Sequence, residues 1–168
     1  DFIDKNIFWS DKHEWRSKKQ IYINDNQELF ELFKDTIHVL KLKEDDYPRL
    51  SYLIKEANIP YLSKAVKMEL VNDEKGDFEE ELTEKIKSFI PYIIRYFYYT
   101  VPEKYEILKK EGVIKELINI KCYSYNKLDV KFILGNYEAY KEKEILLFNG
   151  NLHLQKDQIN DDAIALEL

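Results

Sequence analysis

The sequence predicts an α+β protein: a helical N-terminal half with short strands, followed by an antiparallel β-meander and a closing C-terminal helix. Two observations indicate this class. Apolar residues recur at helical spacing in several segments before Gly112, and at a period of two after it. Turn signals, above all Asn149-Gly150 and Gly135-Asn136, then separate the alternating segments as they do in β-hairpins.

Composition favours one ordered domain. The 168 residues are 45% hydrophobic and 35% charged, with only four Gly and four Pro, which is typical of a folded globule. We therefore interpret residues 1–168 as a single α+β domain, with an irregular arm (1–18), a mixed helix and strand segment (19–112) and the meander plus helix (113–168). The chain starts without Met and stops inside an apparent helix, DDAIALEL, which predicts a fragment of a larger multidomain protein.

The segment after the arm alternates short strands with capped helices. KQIYIND predicts a strand that buries Ile21 and Ile23 on one face. Asp25 and Glu28 form a capping box for the helix NQELFELFKD, and HVLKL predicts a second short strand. Asp46 then predicts the start of another helix, whose first turn tolerates Pro48. Its apolar residues share one stripe, and they are Leu50, Leu53, Ile54 and Ala57.

The stretch EANIPYLSKAV predicts the end of that helix. Asn58 suits the left-handed conformation that ends a helix, and Pro60 prevents continuation. Leu62 to Val66 are then expected to start the strand VKMELV, with Val66, Met68 and Leu70 on its buried face.

A longer helical region follows Gly76. Asp77 and Glu80 predict a second capping box. The stretch FIPYIIRYFYY is apolar almost all round, which predicts a helix buried in the domain, kinked or split by Pro91. A third helix, PEKYEILKKEG, ends at Gly112, and the strands INIKCYS, LDVKFIL, YEAYKE, EILLF and NLHLQ lead to a last helix from about Asp161.

Charge and cysteine content exclude several classes of protein. The net charge of -6, much of it from residues 72–87, disfavours nucleic acid as a partner. The basic piece Lys12 to Lys19 can touch an anion, although a solvated face is the simpler interpretation. A single Cys122 cannot form an internal disulfide, and the sequence has neither an 18-residue uncharged run nor a signal peptide. We expect an intracellular, cytoplasmic protein without a membrane partner.

No catalytic, cofactor-binding or metal-binding residue is predicted. The four glycines are explained as turns or helix ends, so no phosphate-cradling loop is present. His13, His38 and His153 stand far apart and match no metal-binding pattern. Cys122 lies on an alternating strand, where it is expected to pack as a small apolar side chain.

Two aromatic features could form an interaction surface. The first is the Tyr-rich stretch from residue 92 to 99, for which core packing is the alternative. The second is the pair of tryptophans in the arm, for which self-packing is the alternative. The residues predicted for this surface are Trp9, Trp15, Tyr92, Arg95, Tyr96 and Tyr99.

The helix end and the strand after it resemble a region of large sacsin-like and NO VEIN-like proteins, and the similarity covers about residues 20–168. In this family a gyrase and histidine-kinase-like (GHKL) ATPase domain is followed by further α+β regions. Asn58 stands where the family often has Gly, and Asn is the next best residue for a left-handed position. The positions that carry the resemblance are Leu50, Leu53, Asn58, Pro60, Leu62, Ser63, Ala65 and Val66.

The resemblance implies a non-catalytic coupling or protein-interaction domain attached to a chaperone-like or defence-related GHKL-type ATPase. ATP and Mg²⁺ would bind the upstream domain of the parent, and this chain would hold no cofactor. The implied partners are the adjacent ATPase domain of the same chain and a client protein. Two alternatives stay open: a small metal-dependent nuclease or transferase domain that uses Glu44, Asp45 and Asp129, and a peptide-binding module that uses the Tyr-rich helix.

Overall fold

A computed structural model describes residues 5–42, 47–71, 76–156 and 164, with the backbone alone for residues 47–50. The described chain combines helices with mixed sheets, so the predicted α+β class is confirmed. The chain divides into two compact units. The first comprises Asp1–Glu69 and Lys131–Tyr140, and the second comprises Leu70–Val130 and Lys141–Leu168.

The first unit begins with a small hairpin in place of the irregular arm. Strands β1 (Phe8–Trp9) and β2 (Trp15–Arg16) pair antiparallel. The helices α1 (Gln27–Phe33), α2 (Tyr47–Ala57) and α3 (Leu62–Ala65) follow. Instead of continuous strands, single bridges join Tyr22 to Val39 and Ile23 to Tyr61 in parallel. Ile21 and Ile23 are buried as predicted, in a core shared with Phe8, Ile54, Ala57 and Ile59.

The predicted capping box at Asp25 is wrong by one residue. The N-cap of α1 is Asn26, whose side-chain oxygen accepts a hydrogen bond from the Leu29 backbone N–H at 3.0 Å. Asp25 instead accepts hydrogen bonds from both the backbone N–H and the hydroxyl of Ser63. The capping box was predicted from sequence spacing alone. In the structure Asp25, the first acid of that box, is engaged by a tertiary contact instead.

The end of α2 matches the prediction, but the residues after it do not. Asn58 has φ 53°, the left-handed conformation expected of it. Leu62 to Ala65 form a turn of helix and not the start of a strand, and Val66 returns to extended backbone. In the predicted stripe Ile54 and Ala57 are buried, whereas Leu53 is 40% exposed. The cap predicted at Asp46 lies outside the described residues.

A three-stranded sheet has the order β3-β6-β7. The strands are β3 (Lys67–Leu70), β6 (Asp129–Leu134) and β7 (Tyr137–Glu142). Alternate residues of β6 are buried as predicted, whereas Met68 on β3 is 38% exposed, against the prediction of a half-buried strand there. Gly135, with φ 60°, opens the two-residue turn between β6 and β7.

The second unit has a four-stranded sheet of order β4-β5-β9-β8 and three helices. Its strands are β4 (Asp77–Phe78), β5 (Cys122–Tyr125), β8 (Ile145–Phe148) and β9 (Asn151–Gln155). Its helices are α4 (Glu80–Thr100), α5 (Pro102–Lys110) and α6 (Val113–Ile118). The predicted turn at Asn149-Gly150 joins β8 to β9 with positive φ at both residues.

Several predictions for the second unit need correction. The strands after Gly112 belong to two sheets, and β5 pairs parallel to β9, so they are not one antiparallel meander. Asp77 lies in β4 and does not cap α4, whose N-cap Glu79 makes no side-chain capping bond. Pro91 does not split α4. The short helix α6 follows Gly112 where strand was expected, and Ile164, helical and buried, is the only described residue of the predicted last helix.

Candidate functional site

The most distinctive surface of the described chain is the C-terminal half of α4. This helix was expected to be buried on all sides, and that prediction is wrong: its buried residues are Thr83, Ile86 and Ile90, all from one face of its first half. On the solvent-exposed face of its second half, aromatic side chains stand where a surface helix usually carries charged ones. Four residues spaced three, four and three apart form an exposed stripe, and they are Phe89 (54% exposed), Tyr92 (68%), Tyr96 (62%) and Tyr99 (74%).

A groove runs beside this stripe, between α4, α5 and α6. Its volume is about 520 Å³. The floor is apolar, since Ile90 is 2% exposed and Ile94 is packed against the core of the unit. The side chains that line the groove are Lys87, Ile90, Pro91, Ile94, Arg95, Tyr98, Tyr99, Tyr105 and Ile118.

The helix hairpin of α4 and α5 holds the aromatic rings in place. Tyr98 meets Tyr105 edge to face at 5.3 Å and Tyr99 at 5.0 Å between ring centroids. Lysines from α5 cover two of the neighbouring rings: Lys104 lies 5.7 Å from the centroid of Phe97, and Lys109 lies 5.8 Å from that of Tyr105. The groove wall is therefore preorganised by contacts within the unit.

The charge of the groove is positive, in contrast to the net charge of the chain. Among the described residues that line it, two are cationic and none is a carboxylate. Lys87 has a weak partner in Glu84, one turn earlier, with 3.4 Å between Nζ and Oε1. In the part of the chain that the structure describes, Arg95 is exposed and has neither a hydrogen bond nor an ion pair. A free guanidinium among aromatic rings is a ready anchor for a carboxylate.

The predicted tryptophans belong to the first unit. Trp9 and Trp15 face each other across the β1–β2 hairpin with ring centroids 5.0 Å apart, and they are 37% and 56% exposed. His13, with φ 58° in the turn, adds an edge contact to Trp9 at 6.1 Å. Self-packing and exposure thus coexist in this hairpin. The other predicted surface residues, Tyr92, Arg95, Tyr96 and Tyr99, all lie on α4.

The residues that carry the family resemblance have structural roles. Leu62 is fully buried, Val66 is 9% exposed, and the Pro60 carbonyl accepts a hydrogen bond from the Ile23 N–H at 2.9 Å. Ser63 donates its backbone N–H to Asp25 at 2.9 Å. Burial raises the pKa of Asp25, but the hydrogen bonds from Ser63 outweigh this and hold that pKa below its ordinary value.

A buried polar cluster in the second unit was not predicted. His153 on β9 is 7% exposed, and its Nδ1 lies 2.9 Å from the hydroxyl of Tyr125 on β5. Its ring stacks on Tyr123 at 5.9 Å. Nearby, the N–H of Cys122 on β5 donates a hydrogen bond at 3.0 Å to the hydroxyl of Thr83 on α4. The sequence signal was weak, because NLHLQ alternates like any half-buried strand and shows nothing of the parallel neighbour β5.

Cys122 and the metal-ligating side chains of the described residues form no arrangement typical of a nucleophilic or metal site. Cys122 is buried, and that burial raises the pKa of its thiol, which favours the unreactive protonated form. Within the described ranges no three His, Cys, Asp or Glu side chains are grouped so that they could hold a metal ion. Asp129 lies 2.8 Å from Lys127, and the other two acids of the nuclease alternative, Glu44 and Asp45, lie outside the described residues.

We expect the His153 cluster to make folding stability depend on pH. Burial lowers the pKa of His153 below 6.5, although a hydrogen bond with the Phe148 backbone opposes this. The unfolded chain then binds a proton more readily than the folded one, so the contribution is complete above about pH 6.5 and is lost as the pH falls through the folded pKa. Melting temperatures between pH 7.5 and 5.5 should fall less steeply for His153→Gln than for the unchanged protein. Parallel curves would contradict the assignment.

Fold and surface together define an α+β protein with an exposed aromatic groove on a helical hairpin. The comparisons identify no relative: no protein-family model matches the sequence, and no curated protein or solved structure gives a significant match. Over the described residues, no helix has the length and apolar character needed to cross a membrane.

Proposed function

We propose that this chain is a non-catalytic protein-interaction domain that binds an acidic segment of a partner protein in the groove between α4, α5 and α6. The observation that carries the proposal is Arg95, a guanidinium without a partner among the described residues, set beside exposed tyrosines. Arg and Tyr are the residue types that contribute most binding energy at protein interfaces.

The groove also limits what the partner can be. Its apolar floor suits leucine or phenylalanine side chains, and a volume of about 520 Å³ holds only a few of them. The two cations, Lys87 and Arg95, favour carboxylates near those apolar residues. The occupant is therefore a short segment that interleaves acidic with large apolar side chains.

The family resemblance supplies a setting for this binding. In that setting the chain couples a GHKL-type ATPase, attached elsewhere in the parent protein, to the bound segment. The chain itself contributes recognition and no ATP chemistry. Titration calorimetry of this chain with ATP and Mg²⁺ should accordingly give no heat of binding, and clear micromolar binding would remove the non-catalytic role.

The direct test uses two labelled peptides, one alternating Glu with Leu and Phe, the other carrying Lys in place of each Glu. Fluorescence anisotropy should show saturable binding of the acidic peptide and not of the basic one. Arg95→Ala should weaken binding about tenfold or more, because a charge-assisted hydrogen bond is lost. Lys115→Ala, which removes an exposed cation on α6 outside the groove lining, is the matched control.

A second pair of variants separates the groove from general stickiness. Tyr99 is 74% exposed in the groove, and Tyr140 is 59% exposed in the first unit. Tyr99→Ala should reduce affinity for the acidic peptide, and Tyr140→Ala should leave it unchanged. Equal binding of both peptides, or equal effects of both tyrosine variants, would overturn the proposal.

A further inference from the structure

A second concave site lies entirely within the first unit and is independent of the groove on α4. Its volume is about 530 Å³. We propose that it binds a small organic anion, whose phosphate or carboxylate group is held by Arg16 and Lys19 and whose body lies against the pocket's apolar and aromatic side chains. Those cations fall within the basic piece Lys12 to Lys19, for which a solvated face was the simpler interpretation.

The walls of the pocket suit a ligand with an apolar body. Ile37 is 4% exposed and Leu134 is 2% exposed, so both present a packed floor. Tyr22 and Tyr137 add two aromatic residues to the lining. The pocket thus combines apolar side chains with charged and polar ones, and a concave site that does so can hold and orient a small molecule.

The charge of the pocket favours an anion. Arg16 and Lys19 line it together with the neutral polar side chains of Gln20, Thr36 and Asn136, and no carboxylate is among its described lining residues. Within the described part of the chain Lys19 is exposed and has no hydrogen-bond or ion-pair partner. Of the described acids, Glu14 contacts Arg16 but is not among the residues that line the pocket.

His38 holds Arg16 at the pocket. The guanidinium Nη2 lies 3.1 Å from Nε2 of His38, and since arginine only donates, Nε2 must accept. The ring is therefore neutral with its proton on Nδ1, which donates to the hydroxyl of the buried Ser10 at 3.3 Å. A lowered pKa of His38 agrees with this neutral ring. Burial lowers that pKa most, Arg16 and Lys12 lower it further, and Glu14 and Asp11 oppose them with smaller effects.

Arg16 keeps donors free for a ligand. Its contacts to Glu14 and to His38 both run through Nη2. Among the described residues no contact engages its Nη1 or Nε, so these donors can reach an anion without breaking the ion pair. Glu14 has a side chain 49% exposed, so it neutralises part of the field while staying screened by solvent.

The test titrates the protein at fixed ionic strength with four probes: phenyl phosphate, benzoate, phenol and inorganic phosphate. Amide chemical shifts in heteronuclear NMR spectra report which residues respond. Saturable shifts around Tyr22, His38 and Asn136 with phenyl phosphate or benzoate, and weaker ones with phenol, are expected. Whichever of phenyl phosphate and benzoate binds more tightly identifies the preferred head group. If inorganic phosphate binds as tightly as phenyl phosphate, the apolar floor has no role in binding.

Two exposed positions provide variants that keep the fold. Lys19→Gln removes a cation, and Asn136→Asp places a carboxylate at the rim. Each substitution should lower the affinity for the preferred anion about tenfold. The control Lys115→Gln makes the same charge change in the second unit and should not alter affinity. Equal affinity in all three variants, or no saturable shift with either organic anion, would overturn the proposal.

Discussion

Leu152→Ala is expected to lower the free energy of unfolding by about 2–5 kcal/mol, the range measured for buried leucines. Leu152 is fully buried in the core of the second unit. It lies on β9, a central strand that pairs with Cys122 of β5 on one side and Leu147 of β8 on the other. Strands on both sides leave little freedom for the site to collapse, so the cavity term is expected to be retained.

Urea unfolding followed by circular dichroism measures this loss. The matched control is Ile107→Ala on α5, where the side chain is 56% exposed and the change should stay within about 0.5 kcal/mol. A loss below about 1 kcal/mol for Leu152→Ala would contradict the central position of β9. The same core includes Ile90 and packs against Ile94 under the groove. Leu152→Ala should therefore also weaken binding of the acidic peptide at temperatures where the protein begins to unfold.

Local signals in the sequence predicted local structure well. Asn58 ends α2 in the left-handed conformation, and Asn149-Gly150 forms the hairpin turn between β8 and β9. Both depend on backbone preferences of one or two residues, which tertiary contacts seldom reverse. The buried alternation of β6, with Val130, Phe132 and Leu134 inside, is equally a property of one strand.

Features that depend on distant partners were not predictable from one sequence. Asp25 fits a capping box by spacing, but Ser63, 38 residues away, engages it. The parallel pairing of β5 with β9 leaves no mark on either strand, so a meander was the simpler expectation. For the same reason the contact between Tyr125 and His153 could not be foreseen.

The sequence indicated only part of the candidate surface: of the residues that line the groove, Arg95 and Tyr99 are among those predicted. The Tyr-rich stretch was identified, yet its apolar pattern predicted burial because hydropathy does not record how many neighbours a helix has. In the structure α4 is covered on the face of Ile86 and Ile90, while Tyr92, Tyr96 and Tyr99 stay exposed. Arg95 was the better indicator, since an arginine among tyrosines is more typical of an interface than of a core.

Gly76→Ala is expected to destabilise the second unit by about 1–3 kcal/mol, the usual cost of overpacking a filled site. A Cβ at this position would lie 2.4 Å from Cζ of the Tyr125 ring, well inside contact distance. The ring cannot swing away freely, because its hydroxyl is bonded to His153 at 2.9 Å and its face packs on the same imidazole. Gly76 has no positive φ, so the cost is steric and not conformational.

A double-mutant cycle with Tyr125→Val distinguishes this clash from any other effect of the substitution. Removing the ring removes the atoms that the new Cβ would meet, so Gly76→Ala should cost little in the Tyr125→Val background. Gly112→Ala is an informative comparison, because its Cβ would meet nothing within 4 Å while its φ of 85° strains any other residue. Its cost should therefore be independent of Tyr125. If Gly76→Ala is as costly without the ring as with it, a clash with the Tyr125 ring is not the cause.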